Sequence, residues 1–163
     1  MEEEASLTWD PRALGPSWRR TAVAEGLSAI PRTWEAGYDE AAAKQLDQAL
    51  SRALDALADD GRRDPSESGL DAIVELRYVP ALMVRQRGDY RYGSSNMAEF
   101  LGKSELDLIP IICSALAANG PWQVLDGHHR LRAYIQAKRA ALAFCIKLVP
   151  GTGLISLRWP RSS

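Results

Sequence analysis

Apolar residues recur at steps of three and four along Tyr38–Asp60, and polar residues such as Lys44, Asp47 and Arg52 fill the positions between them. On a helix, this spacing places the apolar side chains on one face and the polar side chains on the other. Gly61 follows directly, and glycine commonly ends helices. The pattern predicts an amphipathic helix whose apolar stripe is formed by Ala42, Leu46, Ala49, Leu50, Ala53, Leu54 and Leu57.

A polar, turn-rich stretch after this helix, Arg62–Gly69, is the best internal boundary of the chain. We predict a helical N-terminal extension over residues 1–69 and a core domain over residues 70–163. Residues 1–35 carry tryptophans among prolines, which predicts short helical turns that wrap onto the rest of the protein. The amphipathic helix would either pack on the core or pair with a second copy of the chain in a homodimer.

Apolar runs with the length of strands dominate the chain after residue 70. They predict strands at Ala72–Val84, Pro110–Cys113, Trp122–Leu125, Leu142–Val149 and Leu154–Trp159. Pro80 marks an edge or a break in the first of these runs. Helical spacing separates the runs at Asn96–Leu108 and His128–Lys138. Strands that alternate with helices predict a small α/β or α+β domain centred on about Ile73–Val149.

Composition is typical of a folded protein, because 46% of the residues are hydrophobic and 25% are charged. Twenty basic residues nearly balance 21 acidic ones, so only a local patch could attract nucleic acid or an anionic membrane. No apolar run approaches a membrane span, and the acidic start, Met1–Glu4, is unlike a secretory signal. Cys113 and Cys145 lie in apolar runs and are predicted to be reduced core residues. We predict a cytoplasmic protein with no membrane partner.

Both histidines of the chain stand side by side in the segment WQVLDGHHRLRAY, Trp122–Tyr134. Within it, the motif turn, which we define as Asp126–Arg130, joins the predicted strand to the predicted helix. The first turn of a helix normally prefers acidic residues, because the helix N-terminus carries a partial positive charge. The motif turn instead brings two histidines and an arginine to this position, and Arg132 follows.

Basic residues at a helix N-terminus are mildly unfavourable unless an anion is present. Gly127 allows the backbone to approach such an anion closely, so the motif turn is a candidate phosphate or carboxylate site. Asp126 would lie beside the anion, where it could hold Mg²⁺, accept a proton, or orient an imidazole or arginine. In the alternative without function, Asp126 caps the helix and the histidines and arginines are solvated surface residues. The coincidence of all these residues in one string favours a functional site.

Two metal-based alternatives fit the motif turn less well. Adjacent histidines on a helix point about 100° apart, which suits one zinc ion poorly. Neither cysteine lies close in sequence, so a mixed cysteine and histidine zinc site is disfavoured. Nucleases that activate water with a histidine beside a metal usually carry an asparagine or a second histidine downstream. No such residue follows Arg130.

The string VLDGHHRLRAY, with IPIIC before it and LAFCIKLV after it, resembles the signature of the ParB/sulfiredoxin-like superfamily. The resemblance spans about Val74–Pro150 and implies a ParB/sulfiredoxin-like core behind the helical N-terminal extension. Within the superfamily, the Asp-Gly-His-His-Arg turn is most similar to that of free-serine kinases. These enzymes move phosphate from a nucleotide to the hydroxyl of an amino acid.

The resemblance implies roles for the residues of the motif turn. The cofactors would be a nucleotide, ATP or ADP, and Mg²⁺. Phosphate contacts are implied for Gly127, His128, His129 and Arg130, with Arg132 beside them. Asp126 would serve the metal or the acceptor, and the catalytic set would be Asp126, His128 and His129.

The chain departs from the main branches of this superfamily. It lacks the reactive cysteine that sulfiredoxins carry in this turn, which excludes their chemistry. About thirty residues follow the motif helix, too few for the helix-turn-helix of partition proteins. The serine kinases also share a glutamate base just after the first strand. The stretch Pro80–Gly88 holds no acidic residue, and Asp89 is the first candidate.

We predict a nucleotide-binding phosphotransferase that acts on a small metabolite bearing a hydroxyl group. The acceptor would bind between the motif turn and a polar, aromatic segment formed by Tyr90, Tyr92, Ser94, Ser95 and Asn96. The alternative is a non-catalytic or nuclease-like accessory protein of ParB type that binds DNA or nucleotide. Nucleic acid is the less expected partner, and its phosphates would contact an arginine cluster of Arg85, Arg87, Arg91, Arg130, Arg132 and Arg139.

Overall fold

The computed structural model describes residues 4–30, 39–57, 69–85, 110–115 and 121–160. In chain order, its elements are β1 (Glu4–Trp9), α1 (Pro11–Leu14), α2 (Trp18–Ala29), α3 (Asp39–Leu57), β2 (Leu70–Pro80), β3 (Val84–Arg85), β4 (Ile111–Ala115), β5 (Trp122–Asp126), α4 (His128–Gln136), β6 (Ala140–Pro150) and β7 (Ile155–Pro160), with 3-10 turns at Gly15–Ser17 and Ala81–Met83. The described strands form one mixed sheet in the order β1-β7-β2-β6-β4-β5-β3. Helices packed with a mixed sheet confirm the general α/β class that the sequence predicts.

The centre of the sheet is the antiparallel pair of β2 and β6. They are paired along their whole length, from Leu70 opposite Pro150 to Pro80 opposite Ala140. On its other edge, β2 is paired in parallel with β7. Because β6 and β7 follow each other in the chain, the short loop between them passes over the start of β2.

The side chain of Asp71 on β2 holds this crossing loop. Its Oδ1 atom accepts hydrogen bonds from the backbone N–H groups of Thr152, Gly153 and Leu154 at 2.8, 3.0 and 2.9 Å. A Cβ atom at Gly151 would overlap the Asp71 carboxylate, so that position has no room for a side chain. One carboxylate oxygen therefore fixes the place where the chain crosses β2.

One face of the sheet is covered by α2 and α3. The predicted amphipathic helix is confirmed as α3, and its stripe belongs to the main apolar core: Ala42, Leu46, Ala49, Leu50, Ala53 and Leu57 are buried, and Leu54 packs against them. Beneath the helices lie alternate residues of the central strands, such as Leu76 on β2 and Phe144 on β6. The stripe of α3 thus packs on its own chain. The homodimer stays a prediction. If α3 forms its interface, the contact must involve the exposed side of the helix, which carries Lys44 and Asp47.

The first strand corrects the prediction of helical turns at the start of the chain. Residues 4–9 form β1, which is antiparallel to β7, whereas α1 and α2 are helical as predicted. In β1, Ala5, Leu7 and Trp9 pack on the core, and Ser6 and Thr8 are exposed. This alternation is a strand pattern, but it is short and the prolines after it favour turns. The predicted extension thus contributes a strand to the sheet of the predicted core.

The predicted strands of the core are confirmed with shifted ends. Pro80 is the last residue of β2, and the apolar residues after it form a 3-10 turn and the two-residue β3. Strands β4 to β7 overlap the remaining four predictions. The predicted helix Asn96–Leu108 lies outside the described residues. Within the described ranges, no helix is long and apolar enough to cross a membrane.

On the opposite face of the sheet, α4 packs against β4, β5 and β6. Leu131 and Tyr134 of this helix are buried in a second apolar cluster that contains Val124, Cys113 and Cys145. The two cysteines are paired across β4 and β6, with their sulfur atoms 3.5 Å apart, and both are free thiols. The neighbouring Cys145 thiol and burial raise the pKa of Cys113 far above its usual value. The Cys113 thiol therefore stays protonated within the apolar cluster on which α4 packs.

Candidate functional site

The motif turn takes the chain from the end of β5 to the start of α4 within one residue. Gly127 has a φ of 94° and a ψ of 32°, the left-handed conformation that glycine adopts readily. The N–H of Leu131 donates to the Gly127 carbonyl at 2.8 Å and closes the first turn of the helix. The predicted strand before Gly127 and the predicted helix after it are both confirmed.

Gly127 has no room for a side chain. A Cβ atom built on it would lie 2.8 Å from Nη2 of Arg130 and 2.8 Å from Cγ2 of Ile111, closer than real Cβ atoms approach other atoms. Ile111 is the first residue of β4, and its neighbour Ile112 is paired with Asp126. The motif turn therefore packs directly on the start of the adjacent strand.

Replacing Gly127 with alanine is expected to lower the free energy of unfolding by about 2–3 kcal/mol, as measured by urea unfolding. A residue with a Cβ atom costs about 1–2 kcal/mol in the left-handed region, and crowding adds about 1 kcal/mol or more. Gly69→Ala is the matched control, because Gly69 also has a positive φ, 71°, but a built Cβ meets nothing within 4 Å. Equal losses in the two variants would contradict the crowding argument.

Arg130 folds back beneath the motif turn. Its Nη1 donates to the Pro110 carbonyl at 2.8 Å, and its Nη2 donates to Oδ2 of Asp126 at 3.2 Å. Only 8% of Arg130 is exposed. Burial lowers the pKa of Arg130, the Asp126 carboxylate opposes this effect, and a guanidinium stays charged at neutral pH. The turn therefore contains a buried positive charge beside one carboxylate.

Asp126 is a member of this ion pair and does not cap α4. The N-cap residue is Gly127, and no side chain caps the helix. Of the roles predicted for Asp126, the orientation of an arginine is the one seen in the geometry. The Asp126 side chain is 38% exposed. Within the described residues its hydrogen bond to Arg130 uses Oδ2, which leaves Oδ1 as the oxygen that could meet a metal or a hydroxyl.

The two histidines occupy different environments. His128 is buried and His129 is partly exposed, while Arg132, in the next turn of α4, is exposed. The first turn of α4 contains no acidic residue, so the partial positive charge of the helix N-terminus adds to that of the basic side chains. The structure thus brings Asp126, His128, His129 and Arg130 together at one end of a helix and places Arg132 on the helix surface.

A metal site made of protein ligands alone is absent from the described residues, because no group of three or more His, Cys, Asp or Glu side chains comes together there. Asp126 offers one carboxylate near the turn. Mg²⁺ commonly binds one or two carboxylates and completes its shell with phosphate oxygens and water. This donor set therefore fits Mg²⁺ in the company of a phosphate-bearing ligand.

The other predicted residues lie away from the turn or outside the described residues. Arg85 is on β3, opposite Gln123 near the start of β5, whereas Asp126 is at the end of β5. Arg139 follows the C-terminal end of α4. Outside the described residues lie Arg87, Asp89, Tyr90, Arg91, Tyr92, Ser94, Ser95 and Asn96. Of the predicted arginine cluster, Arg130 therefore lies in the motif turn and Arg132 lies in the next turn of α4.

Pro110 and Ile111 both support the motif turn, although nothing in the sequence marks them for this role. Pro110 contributes its backbone carbonyl, which every residue type has, and Ile111 contributes apolar surface. Neither contribution requires a particular residue type that could be recognised in the sequence. Their place beside the turn follows from the pairing of β4 with β5, which is a long-range feature.

Comparison of the chain with protein-family models, with curated proteins and with solved structures found no match.

Proposed function

We propose that this chain binds the phosphate groups of a nucleotide at the motif turn. The proposal is carried by the start of α4, where a left-handed glycine precedes His128, His129 and the buried Arg130 without any acidic residue in the first turn. A helix N-terminus attracts anions through its partial positive charge and its N–H groups. Basic side chains at that position are favourable when an anion is bound and mildly unfavourable when it is not.

We also propose that the sheet and α4 form a core of the ParB/sulfiredoxin-like type. The support is the succession of a strand, a glycine turn and a helix in the stretch that resembles the superfamily signature. The flanking strands of that signature, β4 and β6, are neighbours in the sheet and run parallel. Their apolar residues form the floor on which α4 lies.

The proposed reaction is transfer of the terminal phosphoryl group of ATP to the hydroxyl of a small metabolite. The hydroxyl oxygen forms a bond to the γ-phosphorus, the bond from phosphorus to the bridging oxygen breaks, and ADP leaves. Oδ1 of Asp126 accepts the hydroxyl proton or holds Mg²⁺, while His128 and His129 donate to phosphate oxygens. Mg²⁺, bound with the nucleotide, would neutralise phosphate charge. Such a transfer depends on positioning and charge stabilisation.

A binding protein without chemistry is the second candidate, and the ion pair of Asp126 with Arg130 is the observation that favours it. A carboxylate that balances a buried guanidinium already has a structural role. The first turn of α4 provides no second acid that could act as the base. The partner would then be a nucleotide, or the phosphate backbone of DNA in a non-catalytic accessory role of ParB type.

A thermal-shift screen of nucleotides, each with and without Mg²⁺, tests the binding proposal. A ligand that binds only the native state raises stability by RT ln(1 + [L]/Kd), which is about 2.7 kcal/mol at 100 times Kd. We expect ATP or ADP at that excess to raise Tm by about 5 °C or more. An unchanged Tm with every nucleotide, even at high concentration, would contradict the proposed function.

The variant Asp126→Asn separates the two candidates. Asparagine keeps the shape of the side chain and removes its charge. We expect nucleotide binding, measured by calorimetry, to be nearly unchanged, whereas phosphotransfer to hydroxyl compounds falls by about 100-fold or more because the base or metal ligand is lost. Asp47→Asn, on the exposed side of α3, is the control that should change neither quantity. A parent protein that binds nucleotide but shows no turnover supports the second candidate.

A further inference from the structure

The ion pair between Asp126 and Arg130 distinguishes the role of Arg130 from that of Arg132. We infer that Arg130 is a positioning residue, which holds Asp126 and the start of α4 on β4, and that Arg132 supplies the side-chain cation for the phosphate. The inference concerns the same site as the proposed function and rests on it for the identity of the ligand.

Nη1 and Nη2 of Arg130 donate in two directions, to the Pro110 carbonyl and to the Asp126 carboxylate. A bidentate contact with phosphate needs two parallel N–H groups of the same guanidinium. Because only 8% of Arg130 is exposed, a phosphate could take a parallel pair of its N–H groups only if the guanidinium turned outward and left the Pro110 carbonyl. Pro110 is buried, so its carbonyl would lose a hydrogen bond in a place that disfavours an unpaired polar group.

The Arg130 guanidinium lies in the space that the missing side chain of Gly127 leaves open. A Cβ atom at Gly127 would meet Nη2 of Arg130 at 2.8 Å. The guanidinium therefore occupies the space beneath the turn that any other residue at position 127 would fill. Gly127 and Arg130 together allow the end of β5, the start of α4 and the start of β4 to pack closely. Arg130 thus has a structural role at this junction.

Arg132 lies in the turn of α4 that follows the motif turn. Its side chain is exposed, in contrast to that of Arg130. Side chains on a helix lean toward the N-terminus, and residues four apart lie on the same side. Arg132 is four residues after His128, so its guanidinium can reach back toward the end of α4 where the phosphate is proposed to lie. Because Arg132 is exposed, a contact with phosphate would not draw a buried guanidinium out from beneath the motif turn.

Stability without any ligand tests the positioning role. We would measure urea unfolding of the parent, Asp126→Asn, Arg130→Lys and the double variant, because lysine keeps the charge of Arg130 and is expected to preserve the fold. Each single change should lower the folding equilibrium constant about tenfold, and the double variant should lose clearly less than the product of the two. Independent effects, with no coupling between positions 126 and 130, would overturn the positioning role.

Binding of ADP at low and at physiological ionic strength tests the assignment of the phosphate contact. Arg132→Ala should weaken binding about tenfold at low ionic strength, and the remaining affinity should depend less on salt because one charged contact is gone. Arg130→Lys should leave the salt dependence as in the parent, whatever it does to the affinity. Arg139→Ala, beyond the other end of α4, is the control. The reverse pattern would assign the phosphate to Arg130 and overturn the inference.

The two measurements keep this inference distinguishable from the proposed function. If the parent binds no ADP, the proposed nucleotide is rejected, and coupling between positions 126 and 130 then supports the positioning role alone. Amide chemical shifts add a readout that general destabilisation does not reproduce. In Arg130→Lys without ligand, we expect shift changes confined to residues 126–131 and 110–112. Changes spread over the whole sheet would contradict a local support.

Discussion

Truncation of Phe144 to alanine is expected to lower the free energy of unfolding by about 4 kcal/mol. Phe144 lies in the middle of β6, is 1% exposed and belongs to the main apolar core beneath α3. It is paired with Leu76 on β2 and with Ile112 on β4, so three neighbouring strands meet at its position. Removal of a fully buried phenylalanine loses apolar burial and leaves a cavity, which together cost about 3–5 kcal/mol.

Leu148→Ala is the matched control for this variant. Leu148 lies on the same strand and, by the two-residue alternation, on the same face as Phe144, but it is 41% exposed. We expect its truncation to cost less than about 1 kcal/mol. Urea unfolding followed by tryptophan fluorescence measures both variants. A similar loss in the two would contradict the position of the core between α3 and the centre of the sheet.

Replacement of Asp71 with alanine is expected to cost about 3 kcal/mol, the second largest effect. The change removes the acceptor of three backbone N–H groups in the loop between β6 and β7. A hydrogen bond to a charged group contributes about 1.5–3 kcal/mol, and partial exposure of this loop reduces the sum of three. Asp71→Asn keeps an oxygen acceptor without the charge, so its loss should be about half as large.

The control for Asp71 is Thr152→Ala, because Thr152 is exposed and binds Asp71 through its backbone N–H, which alanine retains. We expect Thr152→Ala to change the free energy of unfolding by less than about 0.5 kcal/mol. Urea unfolding of the three variants gives the comparison. If Asp71→Ala were as mild as Thr152→Ala, the crossing loop would be held by the strand pairing alone.

The elements that the sequence predicts best are those with a long or strongly apolar local pattern. Helix α3 repeats its stripe over several turns, and the run Ala140–Pro150 is apolar along most of its length. Strand β1 has a pattern only six residues long, and the turn-forming residues that follow it outweigh that pattern. Its strand conformation comes from pairing with β7, a segment about 150 residues away in the chain.

The order of the strands could not be predicted, because it depends on contacts between distant segments. In sequence, Asp71 is an ordinary acidic residue at the start of a strand, and nothing nearby shows that its partners lie 81 to 83 positions later. The insertion of β2 between β6 and β7 is equally invisible to local periodicity. The general α/β class, in contrast, needs only the kinds of element present and is predicted correctly.

At the candidate site, the geometry of the turn was predictable and the direction of Arg130 was not. A strand, a glycine and a helix are local features, so the conformation at Gly127 follows from neighbouring residues. Arginines are mostly exposed, so a sequence gives little reason to place one inside the protein. Arg130 turns inward because its guanidinium can donate hydrogen bonds to the Pro110 carbonyl, 20 positions earlier, and to the Asp126 carboxylate.

The pairing of β1 with β7 has a consequence for synthesis of the chain on the ribosome. Among the described strands, β1 is paired with β7 alone, and Glu4 is opposite Pro160. At about 5–20 residues per second, roughly 8–30 seconds pass between translation of the two strands. During this time Trp9 lacks the strand that helps to bury it in the finished protein. β1 is thus made well before β7, the strand with which it is paired.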